Sequence, residues 1–216
     1  MSKIEFIPLI ELATLKDGEE CPAGTSFTNT CDWDLHEQKL LAKSYKNIPS
    51  PISKGIYQYR LFDIPLNDLE AAINLHISDT DILHSCSLFG GYAISVDHNI
   101  ELYPQCCGLL EEIQQWKKIL DENFEDFYLL ECHPSPLISK KGTTIIIHCK
   151  DESDPFLPLT TKETIELNYI ETKLALTEVI EALSEFSKKL NSLSGKFGVD
   201  NLADILIWGQ TTKHLV

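Results

Sequence analysis

The chain contains almost no arginine. Arg60 is the only one in 216 residues, and 18 basic side chains stand against 33 acidic ones, for a formal net charge of −15. Arginine makes most bidentate contacts to phosphate and guanine, so this composition argues against a nucleic-acid partner. The acidic excess also opposes binding to anionic membrane surfaces, and its natural electrostatic complement is a basic protein partner.

Long apolar runs are also missing. No run approaches the roughly 20 residues that a membrane-spanning helix requires. Glu5 and Glu11 interrupt the apolar residues near the N-terminus, and no small-residue cleavage site follows, so no secretory signal is predicted. Seven cysteines form an odd set without framework spacing, which favours reduced thiols. We therefore expect a cytoplasmic protein.

The short motifs that mark common active sites are absent as well. The sequence has no Cys-x2-Cys pair, no Gly-x-Ser-x-Gly elbow, and no Walker spacing around the glycines of segment 194–198. The adjacent residues Cys106 and Cys107 cannot easily bind one metal ion together. We predict no catalytic residue, no metal and no cofactor, and hence a protein that is not an enzyme.

A small cysteine-dependent enzyme is the alternative that stays open. Cys107 lies one residue before a predicted helix start, where the helix dipole can lower the pKa of a thiol, and a histidine would be its base. The two acidic residues that open this helix oppose thiolate formation. A structural or scaffolding module is a further alternative.

The clearest strand pattern lies in residues 90–103. Apolar and small or polar residues alternate over 92–96, the polar turn 97–99 follows, and residues 100–103 resume the pattern, which predicts a β-hairpin. Pro104 then ends strand pairing because it lacks an N–H donor.

A helix is predicted after Gly108. Its apolar residues recur at helical spacing: Leu109, Ile113, Trp116 and Leu120. Glu111 and Glu112 stand at its start, where the positive end of the helix dipole favours acidic side chains. Dipole compensation is the simpler role for both glutamates. If the protein binds a basic partner, they are also our first candidates for partner-binding residues.

Three more helices are predicted from caps and periodicity. The first runs from a cap at Asp32 through Lys43 or Tyr45, and the second runs from the capping-box pair Asn67 and Glu70 to near Asp79. The third is long. It starts at Asn168 with Glu171 three residues on, ends at Ser194-Gly195, and has an apolar stripe made by Leu176, Val179, Ile180, Leu183, Phe186 and Leu190.

The remaining segments predict strands and one short helix. Residues 56–62, 126–132 and 143–150 are β-prone, and the last two are expected to pair across a proline-containing loop. The isoleucines at 145–147 suggest burial on both faces and a central position in the sheet. A short helix is expected over residues 201–207.

These elements together predict an α+β fold. We expect a mainly antiparallel sheet packed by several helices, one of them the long helix in the C-terminal region. A single domain over residues 1–216 is the simplest arrangement for this length, with residues 1–31 as an N-terminal arm, that is, an arm or edge element followed by a loop.

Two motifs and the long helix carry a resemblance. The motifs are GGYAISVDHNIELYPQCCGLLEEIQQW and FYLLECHPSPLI. From Gly90 to Leu193, about half the chain, the sequence resembles a set of uncharacterised bacterial proteins. In those proteins a hairpin leads into a Pro-x-Cys-Cys loop and a tryptophan-bearing helix, and a Gly-His-Pro turn follows. This chain has Cys132 in place of the glycine before His133-Pro134.

With its size, acidity and α+β order, the chain is similar to the SUKH superfamily of toxin-immunity proteins. That resemblance implies a protein that binds and blocks a bacterial toxin domain without catalysis. The sequence-based hypothesis is therefore a non-enzymatic protein-binding module, in the form of an immunity protein with a basic partner.

Overall fold

The protein is described here by a computed structural model that covers residues 2–15, 18, 20–78, 80–130, 132–151, 154–159 and 162–209. It has the predicted α+β fold, with two four-stranded antiparallel sheets. The strands are β1 (Ile4–Glu11), β2 (Gln58–Arg60), β3 (Gly90–Val96), β4 (Asn99–Leu102), β5 (Phe127–Tyr128), β6 (Leu137–Lys141), β7 (Thr144–His148) and β8 (Thr164–Asn168). The α-helices are α1 (Thr30–Ser44), α2 (Leu66–His76), α3 (Ile113–Trp116), α4 (Tyr169–Asn191) and α5 (Leu202–Leu206).

Strand β1 lies inside the first sheet, whose order is β2-β1-β3-β4. The expectation of an arm or edge element within residues 1–31 is therefore wrong for this strand. β1 pairs antiparallel with β2 on one side and with β3 on the other. Both of its faces are covered, because Phe6 and Ile10 enter the main core while Ile7 and Leu9 pack with Ala93 on the opposite face.

The predicted hairpin is confirmed. β3 and β4 flank the two-residue turn Asp97-His98, whose φ angles are 49° and 68°. Positive φ at both central positions matches the right-handed twist of the strands, which is the geometry that short hairpins favour.

The second sheet has the order β5-β6-β7-β8. Segments 126–132 and 143–150 do not pair directly, because β6 forms inside the expected loop and lies between them. The central position of β7 is confirmed by its pairing with β6 and β8. Ile145 and Ile147 are buried but Ile146 is only half-buried, so one face of β7 is covered and not both.

Helix α4 confirms the long C-terminal-region helix. The Asn168 side chain accepts hydrogen bonds from the backbone N–H groups of Ile170 and Glu171, at 3.0 and 3.1 Å, as an N-cap should. The predicted apolar stripe is buried except at Ile180, which is half-buried, and the helix contacts β1 of the first sheet as well as β7 and β8 of the second. Phe186 on this stripe packs against Phe62.

Two predicted helix starts are displaced. α1 begins at Thr30, so Asp32 lies in the first turn, where it accepts a hydrogen bond from the Asn29 side chain at 3.0 Å, instead of capping the helix. α2 begins directly after Pro65, which takes the N-cap position in an extended conformation with φ −62° and ψ 148°, and no side chain caps the helix. α2 ends at His76, and the expected end near Asp79 lies outside the described residues.

The helix predicted after Gly108 is short. One α-helical turn, α3, stands between 3₁₀ turns at Leu110–Glu112 and Lys117–Leu120. α5 confirms the short helix expected over 201–207. One cluster of buried side chains joins α2, α3, α4 and α5 to both sheets.

Candidate functional site

A groove of 510 Å³ opens between α1 and the segment that leads from it to β2. Its walls include three tyrosines: Tyr45, Tyr57 and Tyr59. Tyr45 and Tyr59 are buried, and Tyr57 is half-buried. Concave sites with aromatic walls and a few fixed polar groups are where proteins most often hold a ligand, so this groove is the first candidate for a functional site.

The helical repeat places two carboxylates on the groove side of α1. Asp34, Glu37 and Leu41 stand three and four residues apart, which puts them on one face of the helix, and all three line the groove. Pro49 and Pro51 form part of the facing wall. Proline restricts the backbone there to extended conformations, so the wall keeps its shape.

The tyrosine hydroxyls stay protonated near neutral pH. Burial raises the pKa of Tyr57 and of Tyr59 above its usual range. The next largest cause is the negative charge of Asp34 at Tyr57 and of Glu37 at Tyr59. The groove therefore presents neutral phenol groups beside two carboxylates.

The hydroxyl oxygen of Tyr57 is buried and has no hydrogen-bond partner of ordinary geometry among the described residues. Asp34 lies close enough to raise its pKa by charge and by hydrogen bonding, but the two groups do not meet the geometry of a regular hydrogen bond. The carboxylate of Asp34 accepts from the backbone N–H of Gly55 at 3.2 Å. A buried hydroxyl without a partner is costly in a closed core and is an available binding group in a groove.

Two lysines, Lys46 and Lys54, also line the groove, and both are exposed. The groove is therefore of mixed charge. Its carboxylates are the charged groups that act on the phenols of Tyr57 and Tyr59. A cation placed beside the half-buried ring of Tyr57 would meet negative charge and an aromatic face together, whereas the ring of Tyr59 is covered by protein.

Glu112, one of the two predicted partner-binding residues, is only 3% exposed. Its carboxylate accepts a hydrogen bond from the backbone N–H of Leu109 at 3.4 Å and lies beside Gly91 and Gly108. The Glu112 side chain thus accepts from the backbone N–H at the N-cap of the 3₁₀ turn, which is the capping role that acidic residues have at helix starts. A buried carboxylate cannot form part of an open contact surface.

Glu111 is half-buried, and its carboxylate lies against Gly209. Its backbone N–H donates to the hydroxyl of Ser87 at 3.3 Å. Glu111 does not line the groove beside α1. Its role in partner binding stays a prediction.

The structure does not pair Cys106 or Cys107 with a histidine side chain among the described residues. His133 reaches Cys106 only through the backbone, where its N–H donates to the Cys106 carbonyl at 2.9 Å. A thiol and an imidazole meet instead at Cys86 and His76, 3.9 Å apart. Burial raises the pKa of Cys86, which is the opposite of what activates a thiol nucleophile.

Within the described ranges, no three side chains of the histidine, cysteine, aspartate or glutamate type gather as ligands for a metal ion. In the same part of the chain, none of the helices combines the length and apolar character needed to cross a bilayer.

Comparisons with protein-family models, curated proteins and solved structures found no match to the chain. The resemblances described from the sequence therefore rest on the quoted motifs and, for the SUKH superfamily, also on size, acidity and α+β order. The groove beside α1 and the charge of the chain are the features from which function can be argued.

Sequence reasoning missed the groove although its residues show a pattern. Tyr45 stands at the end of the first predicted helix, and Tyr57 and Tyr59 alternate within the β-prone segment 56–62, which places them on one face of a strand. Tyrosine alternation predicts a buried strand face equally well, so only the approach of α1, which brings Asp34 and Glu37 beside these rings, distinguishes a groove from a core.

Proposed function

We propose that the protein is a non-enzymatic binding module that holds a basic segment of a protein partner in the groove beside α1. The observation that carries the proposal is the placement of Asp34 and Glu37 next to the half-buried ring of Tyr57. Carboxylates combined with aromatic faces attract ammonium and guanidinium groups by charge and by cation–π interaction.

The charge of the whole chain supports the same kind of partner. A net charge of −15 raises the association rate with a basic surface and discourages contact with acidic ones. This steering weakens with salt, because charges are screened beyond a Debye length of about 10 Å at 0.1 M.

An immunity protein that binds and neutralises a bacterial toxin domain is the specific form that we propose. It is supported by the resemblance to SUKH proteins and by the groove. The cysteine-dependent enzyme has less support, because neither thiol of the 106–107 pair meets a histidine side chain among the described residues. A scaffolding role would require no groove of this composition.

The test uses a short lysine- and arginine-rich peptide and its lysine-acetylated form as probes. Wild-type protein is compared with the double variant Asp34→Asn/Glu37→Gln and with the matched control Glu178→Gln/Glu181→Gln, which removes two carboxylates from the exposed face of α4. Both variants have the same net charge. Loss of the groove carboxylates should weaken binding about tenfold, equivalent to roughly 1.4 kcal/mol, and the control should change it little.

Equal weakening by the two variants would show that peptide binding depends only on the net charge of the protein. It would contradict the proposal that the peptide binds in the groove beside α1. Thermal unfolding of both variants checks that they are folded.

The immunity form is tested by co-expressing the protein with the product of the neighbouring gene. Toxicity that persists when that product and this protein are made together would contradict the immunity role while leaving peptide binding intact.

A further inference from the structure

The sulfur atoms of Cys106 and Cys107 lie 3.4 Å apart, and both residues are exposed. The other described cysteines do not form such a pair. Cys107 has a φ of 64°, in the left-handed region that costs energy for every residue except glycine. A cysteine kept in that conformation next to a second thiol is a feature that neither the fold nor the groove explains.

The backbone on both sides of the pair is anchored. The Gln105 side chain donates to the Leu157 carbonyl at 2.9 Å and accepts from the Leu157 N–H at 2.8 Å. Gln105 is only 5% exposed, so these bonds are shielded from water. The segment that enters the pair is thereby tied to the loop before β8.

The pair itself and the segment that leaves it are tied to two other parts of the chain. The carbonyl of Cys106 accepts from His133, and the carbonyl of Gly108 accepts from the N–H of Gly90 at 2.8 Å. A Cβ atom at Gly108 would collide with the Gly90 carbonyl, so the chain fits there only as glycine. With three anchors around it, the loop holds the two thiols together.

We propose that Cys106 and Cys107 form a redox modification site that closes reversibly to a disulfide by exchange with a small-molecule disulfide such as oxidised glutathione. The proposal is independent of the groove and of its partner. It assigns a chemical role to the pair without catalysis.

The exchange balances in two steps. The thiolate of one cysteine attacks a sulfur of the oxidised disulfide, forming a mixed disulfide and releasing one small-molecule thiolate, which takes up a proton. The thiolate of the second cysteine attacks the protein sulfur of the mixed disulfide and releases the second small-molecule thiol. Two protein thiols are oxidised, one small-molecule disulfide is reduced to two thiols, and no further oxidant is needed.

Either cysteine can make the first attack, because both are exposed, and the other then closes the ring. The pKa of the Cys106 thiol is raised, first by its hydrogen bond to Cys107 and then by burial. The thiolate is the attacking form, so the exchange should become faster as the pH rises.

The closed form should be easy to reduce. Adjacent α-carbons lie about 3.8 Å apart across a trans peptide bond, which is shorter than the roughly 4.4–6.8 Å that unstrained disulfides span. Strained disulfides have more oxidising potentials and belong to labile or regulatory sites. The pair is therefore suited to respond to a change of redox state and is unsuited to be a permanent cross-link.

The experiment uses the full chain, fully reduced and then incubated with glutathione mixtures of increasing oxidised fraction. Acid quenching, alkylation of free thiols and cleavage after glutamate release the fragment Leu102–Glu111, whose only cysteines are the pair. We expect this fragment to lose the mass of two hydrogens and to take no alkyl group, and to regain both thiols when a reductant is added.

Two variants and one control sharpen the result. In Cys107→Ser and Cys106→Ser the ring cannot close, and the fragment should carry bound glutathione. Cys21→Ser removes an exposed cysteine elsewhere and should leave the fragment unchanged. Ring closure should be about tenfold faster in the folded protein than in urea, because the fold holds the two sulfur atoms together.

Three outcomes overturn the proposal. The fragment could remain doubly alkylated in the most oxidising mixture, or it could carry glutathione in the wild-type protein without closing the ring. Ring closure could also be as fast in urea as in the folded chain, in which case the fold would contribute nothing to the site.

Discussion

Phe6 of β1 meets Trp116 of α3 edge to face, with 5.2 Å between ring centroids and 75° between ring planes. Both side chains are buried, at 5% and 1% exposure. This contact joins the first sheet to the short helical segment that follows the cysteine pair. The indole N–H of Trp116 is buried and has no hydrogen-bond partner among the described residues.

A double-mutant cycle with Phe6→Leu and Trp116→Leu, each of which removes one of the two rings, should detect this contact. The edge-to-face geometry predicts a coupling energy of about 0.5–1.5 kcal/mol beyond the loss of buried area. Urea unfolding of the four proteins measures it. Phe6→Leu combined with Ile138→Val in the second sheet is the control, and its two effects should simply add.

Truncation of the α4 stripe should destabilise the fold strongly. Leu183 is fully buried and Phe186 packs against Phe62, so changing either to alanine should cost about 2–5 kcal/mol. Glu181→Ala on the exposed face of the same helix should change stability by less than about 0.5 kcal/mol. Denaturant melts with equally small effects at all three positions would mean that the helix face is misassigned.

The cysteines of the reduced protein should react with an alkylating reagent at different rates, according to their exposure. Cys132 and Cys149 are buried, and burial raises the pKa of Cys149 to about 11, so both should react slowly with an alkylating reagent in the folded state. The exposed residues Cys21, Cys31 and Cys107 should react fastest, Cys86 and Cys106 should react more slowly because their pKa values are raised, and all seven cysteines should react after denaturation. Mass spectrometry over time separates the classes, and elemental analysis should find no stoichiometric zinc.

Glu11 should make stability depend on pH. Glu11 is exposed overall and lines two clefts, and its carboxylate accepts a hydrogen bond from the Gln58 side chain at 3.1 Å. Desolvation of this carboxyl group raises its pKa above the usual value of 4.5, although the hydrogen bond from Gln58 lowers it in part. The folded protein then holds this proton more tightly than the unfolded chain, and stability present below pH 4.5 is lost as the pH rises through the folded pKa.

Glu11→Gln should therefore be more stable than the wild type at neutral pH. The difference should shrink as the pH falls towards about 4, where Glu11 is protonated in both states. The exposed residue Glu166 on β8 gives the control, because Glu166→Gln should show no such trend. Urea melts from pH 4 to pH 8 measure both, and a constant difference across this range would contradict the assignment.

Elements with local causes could be predicted from the sequence. The cap at Asn168 and the turn at Asp97-His98 depend on hydrogen bonds and backbone angles within a few residues, and the structure has both. The starts of α1 and α2 differ from the prediction, because the N-cap positions fall at Asn29 and Pro65, neither of which caps its helix with a side chain.

Features that depend on distant contacts could not be predicted. The place of β1 inside its sheet depends on β3, about 80 residues further on, and no local pattern in Ile4–Glu11 contains that information. The groove could not be predicted either, because Tyr57 becomes part of it only when α1 brings Asp34 alongside. Burial of Glu112 likewise depends on Gly91, which lies on another element.

The interior position of β1 also bears on how the chain is made. Ribosomes synthesise residues 4–11 before β3 at residues 90–96 and well before α4 at residues 169–191, both of which cover this strand. An apolar strand without its neighbours is open to pairing with other chains during this interval. Glu5 and Glu11, which interrupt its apolar residues, place charge on the nascent segment until the later elements enclose it.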